Sequence, residues 1–172
     1  MILKSILSVI VVSLVMAFLY QASKKKPKKD ELGNIILQLP KIYPIIGVLL
    51  IITGIGLLIF AFLFANESDK IASSVSSLIA IIVGCLLFAK GYISHIKVTD
   101  LGIIETTMFG KLKEIKWNEI RDLSFGKVSL ELKIASSDKN IKAHMHLVGF
   151  QELVSKLESK TGKTKTEIGI IG

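Results

Sequence analysis

Two imidazoles at i and i+2, His144 and His146, are the side chains of this sequence with the strongest claim to chemistry. On an extended segment they share one face and could hold a single metal ion. A site needs a third or fourth ligand, however, and no Cys, His or Asp cluster supplies one nearby in sequence. The acids Glu105, Glu114, Glu119 and Glu131 are scattered with lysines beside them. No Ser-His-Asp phrase, phosphate-binding glycine loop or paired carboxylate stands out. Cys85 is the only cysteine, so an intrachain disulfide is excluded and packing is its role. The sequence therefore assigns no catalytic residue, no metal and no cofactor, and the chain reads as a non-enzyme. Its functional content lies in charge and hydropathy.

Stretches 5–20, 45–65 and 71–89 contain no ionisable side chain other than Tyr20 and Cys85. A helix rising about 1.5 Å per residue needs roughly 20 residues to cross a hydrocarbon core of about 30 Å, which the second and third stretches satisfy. The first is shorter and reaches that length if Lys4 snorkels to the headgroups. Lys4, an apolar run and Ala22-Ser23 also fit a cleavable signal peptide, the competing reading of residues 1–22. Small residues recur as Gly47, Gly54 and Ala61 in the second span and as Ser76, Ala80 and Gly84 in the third. Such stripes let backbones approach, and the short loop between the spans forces an antiparallel hairpin. No intramembrane acid, base or interrupted helix points to a transport pathway.

Charge placement sets the topology. Segment 21–42 carries Lys24, Lys25, Lys26, Lys28, Lys29 and Lys41 against Asp30 and Glu31, while loop 66–70 carries Glu67, Asp69 and one lysine. By the positive-inside rule the lysine-rich segment is cytoplasmic, with the soluble half on the same side and the N-terminus outside. Half of the net charge of +8 thus sits in one juxtamembrane segment. It attracts anionic lipid. A nucleic-acid arm is disfavoured because no aromatics interleave the lysines.

From Ile93 onward apolar residues alternate with charged ones, the pattern of half-buried strands. Val128, Leu130, Leu132 and Ile134 predict one strand, Ile141, Ala143, Met145 and Leu147 another, with 136–140 as the turn between them. Upstream, 95–99, 103–109, 112–117 and 120–125 read as further strands separated by Asp100-Leu101-Gly102, Gly110-Lys111 and the segment after Trp117. Phe150, Leu153, Val154 and Leu157 fall at i, i+3, i+4 and i+7, an amphipathic helix ending near Gly162. Trp117 shares a face with Ile115 and reads as a core residue. If the strands form a simple meander, the turns with Lys111, Lys113 and Lys127 return to the membrane end. Those with Asp100, Glu119, Asp122 and Asp138 then face away.

About six short strands and a C-terminal helix resemble the bacterial pleckstrin-homology-like (PH-like) domain. The phrases Val98-Thr99-Asp100-Leu101-Gly102-Ile103, Phe109-Gly110, Trp117-Asn118-Glu119-Ile120 and Gly149-Phe150 carry the resemblance over residues 90–162. It implies an α+β membrane protein in which three transmembrane helices precede a small PH-like antiparallel barrel or bent sheet. The expected organisation is a first span at 1–22, a basic cytoplasmic loop at 23–42, a helical hairpin at 43–91, the PH-like domain at 92–162 and a tail at 163–172. The resemblance implies a binding or scaffolding module at the inner face of a bacterial membrane. Its expected partners are a protein or anionic phospholipid, with Lys111, Lys113 and Lys127 as headgroup candidates. The competing function is an accessory subunit of a transporter or envelope enzyme.

Overall fold

The computed structural model describes Gln21 and residues 25–170. The first predicted span and Lys24 lie outside the described residues. The chain divides into two units, and one of them interrupts the other. Residues 41–94 form a helical unit, while the described residues on both sides of it form an α/β unit.

The α/β unit holds eight strands: β1 (Lys28–Lys29), β2 (Ile35–Gln38), β3 (His95–Val98), β4 (Gly102–Thr106), β5 (Leu112–Lys116), β6 (Asp122–Gly126), β7 (Glu131–Ala135) and β8 (Asn140–His144). The first five form one antiparallel sheet in sequence order and the last three a second. Alternation puts one face of each strand inward. In the first sheet Ile35, Val98, Ile103 and Ile115 lie in register across four strands, with Leu37 opposite Ile96 in the adjoining row. The second contributes Leu123, Ile134 and Ile141 in one row and Phe125, Leu132 and Ala143 in the next. These faces share a single core with Phe150, Leu153, Val154 and Leu157 of a helix at Phe150–Thr161. Left-handed glycines bracket that helix, Gly149 at φ 90° and Gly162 at φ 73°. There a Cβ would be strained.

Several expectations are corrected. The PH-like barrel is absent: both sheets are open, one ending at β1 and β5, the other at β6 and β8, so no closed sheet exists among the described residues. Among the described residues two helices are long and apolar enough to cross a membrane, the second and third of the expected spans. The strand expected from Val128 begins at Glu131 instead. Gly126 pairs with Glu131, so the residues between them close a hairpin loop, in which Leu130 takes φ 54° and Val128 is 99% exposed. Alternation ran through this turn by coincidence of period.

Segment 23–42, read as a loop, supplies β1 and β2. Ile35 is partly buried against the core and Leu37 lies fully within it. Residues read as a tail form a one-turn helix at Lys165–Ile168 that buries Ile168. Its start was encoded: the Thr164 side chain accepts from the Glu167 N–H while Glu167 accepts from Thr164, a capping box.

In the helical unit, α1 (Ile42–Phe64) and α2 (Glu67–Tyr92) are antiparallel. The helices at Phe150–Thr161 and Lys165–Ile168 are α3 and α4. Gly47, Gly54 and Ala61 are the buried residues of α1, seven apart. On α2 the facing positions are Ser77, Gly84 and Gly91, also seven apart. A Cβ on Gly47 would sit 2.7 Å from the Gly84 carbonyl oxygen, and one on Gly84 the same distance from that of Gly47. Backbone therefore meets backbone here. Of the stripe expected on α2, Gly84 lies in the contact while Ser76 is exposed and donates to the Ala72 carbonyl.

Candidate functional site

Register gives the five-stranded sheet two distinct ends. Gln38, His95, Thr106 and Leu112 are aligned at one end, and from it the chain leaves for α1 and returns from α2. The β4–β5 turn lies at this end. Lys25 and Lys26 enter there as well, because Lys28 pairs with Ile36 as β2 runs toward Gln38. Val148 pairs with Gln38, and a Cβ on Gly149 would strike Pro27, so the chain near Pro27 packs closely over the start of α3. The opposite end holds the turns at 30–34 and 99–101 and the 3₁₀ turn Trp117–Glu119.

Charge is unevenly placed along this axis. Toward the first end lie Lys25 and Lys26 at the β1 edge and Lys111 and Lys113 at the β5 edge, with Glu105 opposite Lys113; toward the second lie Asp30, Glu31, Asp100 and Glu119, with Lys116 opposite Gly102. Many of the acids are held by local partners. Lys97 lies 2.6 Å from the Asp30 carboxylate, which also accepts from Asn34; together they hold Asp30 far below the usual carboxylate range. Lys156, 3.0 Å away, lowers Asp100 in the same way. The Trp117 indole N–H donates to the Thr99 carbonyl at 3.2 Å and closes that end.

The tip of the first end has a defined shape. Thr107 N–H donates to the Lys111 carbonyl and Gly110 N–H to that of Thr107, both at 2.9 Å, with Gly110 at φ 75°. This turn leaves Phe109 75% and Leu112 72% exposed on either side of Lys111, which is exposed as well. Below it Lys113 is tied down. Its ammonium lies 3.3 Å from Glu105, its register partner, and donates to the Asn140 carbonyl of β8 at 3.4 Å. Glu105 projects on the core face in the row of Ile96, so Lys113 compensates a largely buried carboxylate while linking the two sheets. A cleft of about 500 Å³ opens beside it, lined by Ile104, Leu112, Lys113, Glu114, Asp138, Lys139 and Asn140.

The three headgroup candidates therefore part company. Lys111 projects from the tip, Lys113 is engaged between strands, and Lys127 lies in the β6–β7 turn, at the opposite end of its sheet from Asn140. Asp138, expected on the acidic side, shares the cleft with Lys113. A simple meander fails here because β6–β8 form their own sheet. Of the lysine run, Lys28 and Lys29 occupy an exposed edge strand, where charge also blocks pairing with another chain.

His144 and His146 stand edge to face with ring centroids 4.9 Å apart, and the His146 N–H donates to His144 Nδ1. No group of three or more metal-ligating side chains occurs among the described residues. A second cleft, between α3 and Ile35, is lined otherwise by Gln151, Glu152, Ser155, Lys156 and Ser159. What sequence reasoning missed was the apolar character of the tip. The signal was present: Phe109 and Leu112 flank a glycine turn where hydrophobic residues have no core to enter. No protein-family model matches the chain, and neither a curated protein nor a solved structure matches it.

Proposed function

We propose that the chain is a membrane-tethered interaction module whose α/β unit lies at the cytoplasmic face and engages anionic lipid headgroups through the basic end of its five-stranded sheet. The observation that carries this reading is that both connections to the apolar helices leave the sheet at the end that also carries Lys25 and Lys26 at one edge and Lys111 at the other. Each lysine near an anionic surface contributes about 1 kcal/mol within a Debye length of roughly 8 Å. A tethered domain needs little more to hold one orientation.

Reporter fusions in the loop between α1 and α2 and at the C-terminus test the topology, the loop being expected outside and the C-terminus inside. An external C-terminus would defeat the reading. Amine labelling of the reconstituted full chain tests the contact. Lys111 should be protected in vesicles containing anionic lipid and reactive in neutral ones, and equal reactivity in both would remove the headgroup role.

A second reading, an accessory subunit of a membrane complex, has its own observation. Gly56 has nothing within 4 Å of where its Cβ would be, and Ser76 is exposed, so small residues remain on the outer surface of the hairpin. Small residues facing lipid suit close packing against another helix. Purification in mild detergent with one stoichiometric membrane partner, lost on Gly56→Ile, would support it; a partner-free chain would not.

A further inference from the structure

We infer that the β4–β5 tip is a membrane-inserting element, with Phe109 and Leu112 entering the headgroup and upper acyl region of the same bilayer that the helices span and Lys111 contacting anionic phosphate. The inference rests on the membrane-tethered reading above and deepens it. Three turns of the five-stranded sheet display a large apolar side chain to solvent. Leu32, 85% exposed, and Leu101, 78% exposed, lie at the end remote from the helix connections, and their neighbours are Asp30, Glu31 and Asp100. Phe109 and Leu112 are comparably exposed, but Lys111 lies between them, with Lys113 and Lys139 as well as Glu114 and Asp138 in the cleft that Leu112 borders. An apolar pair flanking a lysine fits a bilayer interface, whereas leucines flanked by acids are repelled by an anionic leaflet.

Chain connectivity supplies the second, independent argument. Three residues, 39–41, join β2 to α1, and two, 93–94, join α2 to β3. At no more than about 3.5 Å per residue, the shorter connection holds His95 within roughly 10 Å of the last helical residue. The β4–β5 turn stands one to two strand spacings from His95, roughly 5–10 Å across the sheet. Its geometry is also preset, since Gly110 and the Thr107 hydrogen bonds fix the tip without a partner. The occupant is a bilayer rather than a protein because any partner at this end must share the space with the lipid surrounding the helices.

The test uses the full chain in the Cys85→Ala background, reconstituted into vesicles of phosphatidylcholine with or without phosphatidylglycerol. An environment-sensitive dye is placed in turn at Phe109→Cys, Leu112→Cys and Leu101→Cys, and in the native background at Cys85. With phosphatidylglycerol present, emission from 109 and 112 should shift to the blue and be quenched by lipid-attached quenchers, while 101 stays aqueous. Lys111→Glu should return 109 toward the aqueous signal. If 109 and 112 match 101 while Cys85 is quenched by lipid, the helices are anchored and the inference alone is overturned. If Cys85 too escapes lipid quenchers, the membrane-tethered reading falls with it.

Discussion

The two units of this chain are held together by opposite means. In the α/β unit the contact is made by large aliphatic side chains, with Leu37, Ile103, Ile115, Leu132, Ile134 and Leu153 all fully buried. In the helical unit it is made by their absence, since Gly47 and Gly84 bring one backbone against the other. Water explains the first, because removing apolar area from it is the main favourable term of folding. Helices surrounded by lipid, as proposed for this pair, would gain nothing that way, and close backbone packing is the attraction left to them. The same substitution therefore has different consequences in the two units: shrinking a residue damages one, and enlarging a residue damages the other.

The largest expected effect divides the units outright. A fragment of residues 93–170 lacks β1, β2 and Leu37, leaving the core open and β3 as a bare edge, so it should not fold. Residues 25–39 joined directly to 94–170 through an Asn-Gly turn should fold without the helices, because Gln38 and His95 already face each other in register. Thermal unfolding followed by the single tryptophan, Trp117, reads both. A cooperative transition in the short fragment would show that β2 is dispensable.

Within the full chain, Leu132→Ala should cost the α/β unit about 2–5 kcal/mol through lost transfer energy and the cavity left behind. Denaturant unfolding by Trp117 fluorescence should register it, with the hairpin unaffected. Gly84→Ile should do the reverse, weakening the helix pair by on the order of 1 kcal/mol in mixed micelles while the tryptophan transition stays in place. If Gly84→Ile lowered both transitions equally, the units would be one cooperative body and the contrast would be lost. Gly56→Ala serves as the control of smallest effect, since nothing lies within 4 Å of the added methyl. No loss of helix pairing is expected from it.

Acid separates the units by another route. Asp30, Asp100 and Glu167 have folded-state values lowered by their partners, all in the α/β unit. A depressed carboxylate contributes stability that is present above its unfolded value, about 4, and is lost as pH falls through the folded one. The Trp117 transition should hold from neutral pH to about 5 and weaken progressively below about 4. Asp30→Asn should flatten that acid limb. An unchanged limb would show that the Asp30–Lys97 pair contributes nothing to it.

Legibility in the sequence followed the range of the interactions. The two described apolar helices, the β3, β4 and β5 segments and the amphipathic helix from Phe150 declare themselves by local period, and Gly149 and Gly162 mark that helix's ends. What period could not show was which segments pair. Ile35 to Gln38 reads as four ordinary residues after a lysine run, and only β3, more than fifty residues later, gives it a partner. The split into two sheets was hidden for the same reason, and with it the separation of Lys111 from Lys127. On α2, small residues at both i+4 and i+7 spacing were available. The heptad set won because it stays aligned along two nearly antiparallel helices, where a four-residue stripe drifts round the surface.

Placing a helical hairpin between two neighbouring strands also sets an order of events during synthesis. At ~5–20 residues per second, roughly 3–11 s separate the emergence of Gln38 from that of His95, its partner across the ladder. For that interval β2 exists without β3, and Leu37 without a core. The helices are made within that wait, so the ribosome delivers a complete hairpin before it delivers a foldable α/β unit. The edge of β2 left open during that wait is the one opposite β1, and β3 closes it on arrival.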